Sequence, residues 1–417
     1  MSSVATREPI RHTGHCDDVL DAVVTCRKES LFATDLDASK ESIDAELRGR
    51  RVLVVGGAGS IGSATTKLLL DYLPSCLHVV DQNENELAEL VRDLRARPRG
   101  MPELDFRALP LDYGSPVTER LLRESCSYDV VLNFAALKHV RSEKDVYSSL
   151  QMIDTNIVRH FRFKTWLAEH GHARSYFAVS SDKAANPTSL MGATKRLMEH
   201  LIFAVSANET GRTTSARFAN VAFSNGSLLE SFRRRLHSRQ PLALPRDTRR
   251  YFISQGEAAE ICLLTCCVCP NGYIAFPRMD AEAHLQTLEA VAVRILGYFQ
   301  LTPLFYEDAE DARANLESLA LQGRWPVLLT SLNTSGEKPY EEFVGNGEST
   351  IEIGLSSLLA LAHDPNSTLD LDLLRKLERM VANPHLSIGK TTIVDALMGA
   401  LPDFQHIETG RNLDQRL

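Results

Sequence analysis

Long apolar runs are missing from this sequence. No stretch approaches the roughly 18 residues that a membrane-spanning helix needs, so no span is expected. The amino-terminal MSSVATREPIRHTGHC has no apolar core of the kind that directs secretion, and a cytoplasmic location is expected. A positive excess is missing as well: 46 lysines and arginines stand against 54 aspartates and glutamates, for a formal net charge of −8. That balance argues against a nucleic-acid partner, and recognition of a polyanionic small molecule then has to rely on local basic groups. A disulfide framework is also absent, since 8 cysteines in 417 residues lack its density and spacing. Four of them stand in ICLLTCCVCP (Cys262, Cys266, Cys267 and Cys269), without the two separated CxxC pairs of a zinc site. They read as thiols buried on an apolar helix, and no metal is expected.

What is present is a regular alternation. The β-branched run Val52–Val55 meets a glycine turn and an amphipathic helix, and the next apolar run, CLHVVD, ends in Asp81. ELAELVRDLRAR is helical, LDFRALPLDY and YDVVLNFAA are strands, ARSYFAVSSDK is a fifth strand, and TTSARFANVAF a sixth. Strands alternating with helices imply an α/β fold with a doubly wound parallel sheet of Rossmann type, covered on both faces. Beyond residue 220 the alternation weakens, and RRRLHSRQPLALPRDTRRYFIS is basic and loop-rich. We therefore divide the chain into an extension (1–46), a dinucleotide-binding domain (47–220), a smaller substrate-binding lobe (221–345) and a C-terminal helical region (346–417). SIGKTT at 387–392 is not a phosphate loop, because Pro384 stands where its first glycine belongs and no strand leads into it.

Gly56, Gly59 and Gly62, with Ser60 and Ile61 between them, lie directly between a strand and a helix. Glycines there let the backbone approach a pyrophosphate, which sits on the helix N-terminus. Asp81 closes the second strand nineteen residues after Gly62, where a carboxylate accepts the ribose hydroxyls. The QNENE that follows offers no Arg or Lys for a 2′-phosphate, which favours NAD over NADP. Asp112 and Tyr113 end the third strand and border the adenine; Ala135 and Ala136 end the fourth, where small side chains let the cofactor lie flat.

The segment SSDKAANPTSLMGATKR (180–196) places a hydroxyl, an acid and an amine together at Ser181, Asp182 and Lys183, with Met191 four residues before Lys195. With GGAGSIGS, AALKHV, RFANVAFSNGS and GEKPYEE in this order, the chain resembles the extended short-chain dehydrogenase/reductases of polysaccharide biosynthesis. The likeness is to the UDP-N-acetylglucosamine 4,6-dehydratase group, over roughly residues 45–345. That group includes long membrane-anchored members, and this chain looks like their catalytic part.

The resemblance implies internally recycled NAD, a nucleotide-sugar substrate, a 4-keto-6-deoxy product and a homo-oligomer. It assigns removal of the C5 proton to Lys183, protonation of the departing C6 oxygen to Asp182, and the nicotinamide ribose to Lys195. Met191, which stands where relatives usually carry tyrosine, is an accepted variant in the group. Having no titratable proton, it leaves the C4 proton to Ser181, Asp182 or ordered water. For the substrate diphosphate the candidates are Lys138, His139, Asn220 and Arg250, whose planar fork suits phosphate oxygens. ANVAFSNGS departs from the group's usual GNVLGSRGS, putting Asn225 in place of an arginine, and Ala64 stands where a glutamate is common. The competing readings are an epimerase or 4-oxidoreductase on the same fold and a catalytically idle NAD-binding regulator.

Overall fold

The computed structural model describes residues 14–98, 100–204, 211–363 and 370–410. Its centre is a nine-stranded sheet. The expected strands are β1 (Arg51–Val55), β2 (Cys76–Val80), β3 (Asp105–Leu109), β4 (Val130–Asn133), β5 (Ser175–Val179) and β6 (Arg212–Ala216). They lie in the order β3-β2-β1-β4-β5-β6, all parallel. Strand order reverses between β1 and β4, which opens a crevice at their carboxyl ends, where doubly wound sheets bind ligands. Val52, Leu53 and Val54 are fully buried, as a strand covered on both faces requires.

Three further strands extend the sheet past β6. Tyr273–Pro277 pairs with β6 in parallel, then Leu358–Ala362 and Thr350–Glu352 add antiparallel. This corrects the expectation of a helical region at 346–417, whose described residues hold two strands as well as the helices Leu371–Ala382 and Lys390–Ala400. A short run such as LLALA has no periodicity that separates strand from helix. Here the open edge at Tyr273–Pro277 decides the outcome. The expected 221–345 lobe is likewise interrupted, because residues 273–277 belong to the main sheet.

The second lobe is built on a three-stranded parallel sheet, in the order Thr302–Tyr306, Arg324–Thr330, Leu242–Pro245. Its core contains Phe232, Val291, Ile295 and Trp325, together with Leu20 and Val24 of the helix Gly14–Thr25. The N-terminal segment is therefore part of both cores, for Phe32, Ile43 and Leu47 pack beneath the main sheet. Asp35 ties it down further by accepting hydrogen bonds from the amides and hydroxyls of Ser356 and Ser357. Cys262, Cys266, Cys267 and Cys269 are buried, as expected. The helix that carries the first three, Gln255–Cys267, packs on the helix Ser60–Leu69. Among the described residues no helix is long and apolar enough to cross a membrane.

Candidate active site

The glycine turn after β1 is shaped so that side chains cannot fit. Gly56 has φ +69°, and a Cβ there would stand 2.6 Å from the Ala135 amide nitrogen. A Cβ on Gly62 would stand 2.3 Å from the Gly56 carbonyl oxygen, so the helix Ser60–Leu69 starts hard against the turn. Gly59 caps that helix without a side chain, leaving its first-turn amides and dipole for an anion. Asp81 braces the turn: its Oδ2 accepts from the Ala58 amide and its Oδ1 from the Asn83 amide, both at 3.0 Å. A cradle that excludes side chains, an uncapped helix N-terminus and a carboxylate at the end of β2 together fit the pyrophosphate and ribose of a dinucleotide.

Other expected cofactor contacts divide. The Ala135 backbone stands against Gly56 in the turn, and Ala135 and Ala136, just past the end of β4, are half-buried. Asp112 is held by an ion pair with Arg159 and accepts the Gly114 amide at 2.9 Å. Tyr113 is a core residue, its ring edge-on to Phe163 and its hydroxyl donating to the Thr155 carbonyl. The third strand ends at Leu109, and the turn that follows directs the Tyr113 ring into the core, so the phenol lies beneath the site and does not line it. Ser60 uses its hydroxyl to accept the Asn225 amide at 2.8 Å, which joins the 220–227 loop to the glycine turn.

The segment 180–196 follows β5. Ser181 Oγ donates to Asp182 Oδ1 at 2.9 Å, and Lys183 Nζ donates to the same oxygen at 3.0 Å. Ser181 Oγ also accepts the Lys183 amide at 3.2 Å, which fixes the short turn Asp182–Ala184. The helix Leu190–Ala204 approaches so closely that a Cβ on Gly192 would lie 2.4 Å from the Lys183 carbonyl oxygen. Met191 and Lys195 are buried on it one turn apart. Lys195 Nζ donates to the Val179 carbonyl at 2.9 Å, and burial, opposed by the charge of Glu199, pulls its pKa down to about 8.

The sequence reading missed Glu341. It stands in the loop that carries GEKPYEE, buried, with Oε1 3.6 Å from Lys183 Nζ and Oε2 without a hydrogen-bond partner. The motif was visible, but which of its acids turns inward is a matter of tertiary packing. Arg250 is also drawn to this loop, its guanidinium donating to the carbonyls of Lys338 at 2.9 Å and Pro339 at 3.0 Å. Asn220 donates to the Tyr251 carbonyl at 3.3 Å. Lys138 and His139 lie exposed after β4. The His139 ring faces Gly226, where a Cβ would meet its Nε2 at 2.8 Å. The 220–227 loop, Arg250 and the Lys138–His139 segment thus surround the crevice, and Asn225 is exposed on that loop, its amide donating to Ser60 Oγ. At the opposite, amino-terminal end of the strands, Cys76, His78 and Asp105 bring potential ligand atoms within 4.8 Å of one another. Arg51 and Arg107 already crowd that carboxylate, so it carries no metal argument.

A doubly wound sheet with a glycine turn at β1, a Ser-Asp-Lys turn after β5 and a buried lysine on the following helix defines a protein of Rossmann-type fold. The chain belongs to the family described as "Polysaccharide biosynthesis protein", whose pattern matches residues 52–361. It is 29% identical over 301 residues to an uncharacterized membrane protein of Methanocaldococcus jannaschii, covering 71% of this chain and 81% of that protein. It is also 29% identical over 251 residues to a UDP-N-acetylglucosamine 4,6-dehydratase (inverting) of Campylobacter jejuni, covering 58% of this chain and 71% of the relative. Among solved structures, Pen from Bacillus thuringiensis superposes with a TM-score of 0.62 at 19% identity, over 85% of this chain and 98% of Pen. DesIV, a dTDP-glucose 4,6-dehydratase from Streptomyces venezuelae solved with NAD bound, gives 0.53 at 18% identity, over 80% and 97%.

Proposed function

We propose that this protein dehydrates a nucleotide-activated sugar to its 4-keto-6-deoxy form, with UDP-N-acetylglucosamine as substrate and NAD retained through the cycle. The observation that carries this reading is the placement of the Lys183 ammonium between the buried carboxylates of Asp182 and Glu341, at the strand end that also holds Lys195. An epimerase needs only oxidation and reduction at C4, whereas elimination needs acid and base groups side by side. The Campylobacter relative, named as a dehydratase of this sugar nucleotide, supports the same choice.

The amides around Gly56, Gly59, Ser60, Ile61 and Gly62 would hold the pyrophosphate, Asp81 the adenine ribose and Lys195 the nicotinamide ribose. NAD bound there supplies the hydride acceptor for C4 and the donor for C6. Asp81, with no basic residue in the QNENE that follows, supports NAD over NADP. Lys195 places positive charge where the C4 oxygen becomes an alkoxide. Ser181, whose hydroxyl already donates to Asp182, passes the C4 proton to that carboxylate, so no phenol is needed at Met191. Lys183 removes the C5 proton, and Asp182 delivers one to the leaving oxygen. Arg250 and His139 face the diphosphate.

The test is direct. Purified protein incubated with UDP-, dTDP-, GDP- and CDP-sugars should yield a product lighter by one water, about 18 mass units, from the UDP-N-acetylhexosamine. Interconversion at C4 without loss of water would replace this reading with an epimerase.

A further inference from the structure

We infer that Glu341 is a positioning residue for the Lys183 proton: it takes that proton so that the amine can act on the sugar, and then releases it. This rests on the dehydratase reading above. The geometry sets the two acids beside Lys183 apart. Asp182 Oδ1 accepts from both Ser181 Oγ and Lys183 Nζ, whereas Glu341 Oε2 is buried and accepts nothing. A buried carboxylate oxygen without a donor is costly while charged, and a proton relieves that cost.

The charged groups facing Glu341 are Lys183 and Asp182 from the turn after β5, Arg250 from the strand Arg249–Arg250, and Lys338 from its own loop. Burial drives the Glu341 carboxyl up, and Asp182 adds to it; the three cations oppose this without reversing it. For Lys183 burial pushes downward, but Asp182 and Glu341 outweigh it and hold the side chain as an ammonium ion. An ammonium ion cannot remove a proton from C5. It must first discharge onto a neighbour of raised proton affinity, and Glu341 is that neighbour.

The steps balance. One Nζ–H bond of Lys183 breaks as an O–H bond forms on Glu341, turning ammonium and carboxylate into amine and acid. The amine then takes the C5 proton and becomes ammonium again. The C6–O bond breaks, and the C4 proton held by Asp182 leaves with that oxygen as water; when C6 is reduced, Lys183 returns its proton to C5 and the amine recovers the proton held by Glu341. Every side chain returns to its starting state.

The experiment uses the full chain with its bound nucleotide, as wild type, Glu341→Gln and Glu341→Asp, and follows kcat against pH with UDP-N-acetylglucosamine. In wild type the acid limb should follow Glu341. In Glu341→Gln the Lys183 proton has to go to solvent, so kcat at neutral pH should fall about 10²-fold. The acid limb of that variant should move toward the lysine range by about two pH units or more. Glu341→Asp should keep the wild-type limb. A glutamine variant with the wild-type limb, or an aspartate variant that matches glutamine, overturns the inference.

A second measurement needs no turnover. Lysine labelled at 13Cε reports Lys183 by NMR, assigned by its loss in Lys183→Arg. Removing the facing charge should lower the titration of Lys183 in Glu341→Gln, and an unmoved titration overturns the inference. If the titration moves while wild type dehydrates no sugar nucleotide, the Lys183–Glu341 pairing is upheld and the dehydratase reading alone fails.

Discussion

Arg217 and Glu199 form a two-pronged ion pair with no access to solvent. Nε and Nη2 of Arg217 donate to Oε1 and Oε2 of Glu199 at 2.8 and 2.7 Å, with side-chain exposures of 0% and 1%. Ser180 Oγ donates to the same glutamate at 2.6 Å, and Arg217 Nη1 reaches the Phe343 carbonyl and Glu348. The pair therefore connects the end of β5, the helix that carries Lys195, and the loop that carries Glu341.

Replacing Arg217 with methionine should destabilise the protein strongly. The change leaves the buried Glu199 and the half-buried Glu348 with Arg196 as their remaining cation, and breaking a buried pair by removing one partner costs about 3–5 kcal/mol. Denaturant titration of Arg217→Met against wild type measures this. A midpoint change worth less than about 1 kcal/mol would place the variant among ordinary surface substitutions and contradict the buried-charge account.

The same pair sets an acid limit. Burial pushes the Glu199 carboxyl up, but Arg217 outweighs it and brings the pKa to about 2. A carboxylate depressed in the folded state contributes stability that is full above its unfolded pKa and is lost as pH falls through the folded one. Wild-type stability should therefore decline between the ordinary glutamate value of 4.5 and about 2. Glu199→Gln should show a shallower decline over that window in urea titrations at a series of pH values.

Met191→Leu compared with Asp182→Asn locates the C4 proton path. Met191 is 1% exposed, and the leucine change conserves volume, so it should cost less than about 1.5 kcal/mol and leave C4 hydride transfer close to normal. Asp182→Asn removes the acceptor of the Ser181 proton and should slow single-turnover hydride transfer at least about 10²-fold. A leucine variant that folds and holds NAD but transfers no hydride would defeat the space-filling view of Met191.

Asp81→Ala should lower nucleotide retention. The carboxylate braces Ala58 in the glycine turn and is the group proposed to hold the ribose, so its loss should weaken both. Denaturing the purified proteins and identifying the released nucleotide checks this. Wild type should release NAD, and the variant much less. Release mainly of NADP would reject the proposed role of this strand end.

The sequence by itself determined the local geometry. The β-branched run at 52–55, the glycines at 56 and 62 and the acid at 81 encode a strand, a turn without side chains and an acidic strand end. Those are properties of neighbouring residues with periods of 2 or 3.6. Ser181, Asp182, Lys183, Met191 and Lys195 were legible for the same reason, since one strand end and one helical turn place them together. Tertiary structure alone decided that Glu341 reaches Lys183, that Arg217 pairs with Glu199 and Glu348, and that Leu358–Ala362 becomes an edge strand. It also drew Leu20 into the core of the second lobe and Tyr113 beneath the site. Contacts between residues far apart in the chain depend on which surfaces remain open once the local elements have packed. A sequence pattern records which residues are apolar or charged, but not which distant partner will cover or neutralise them.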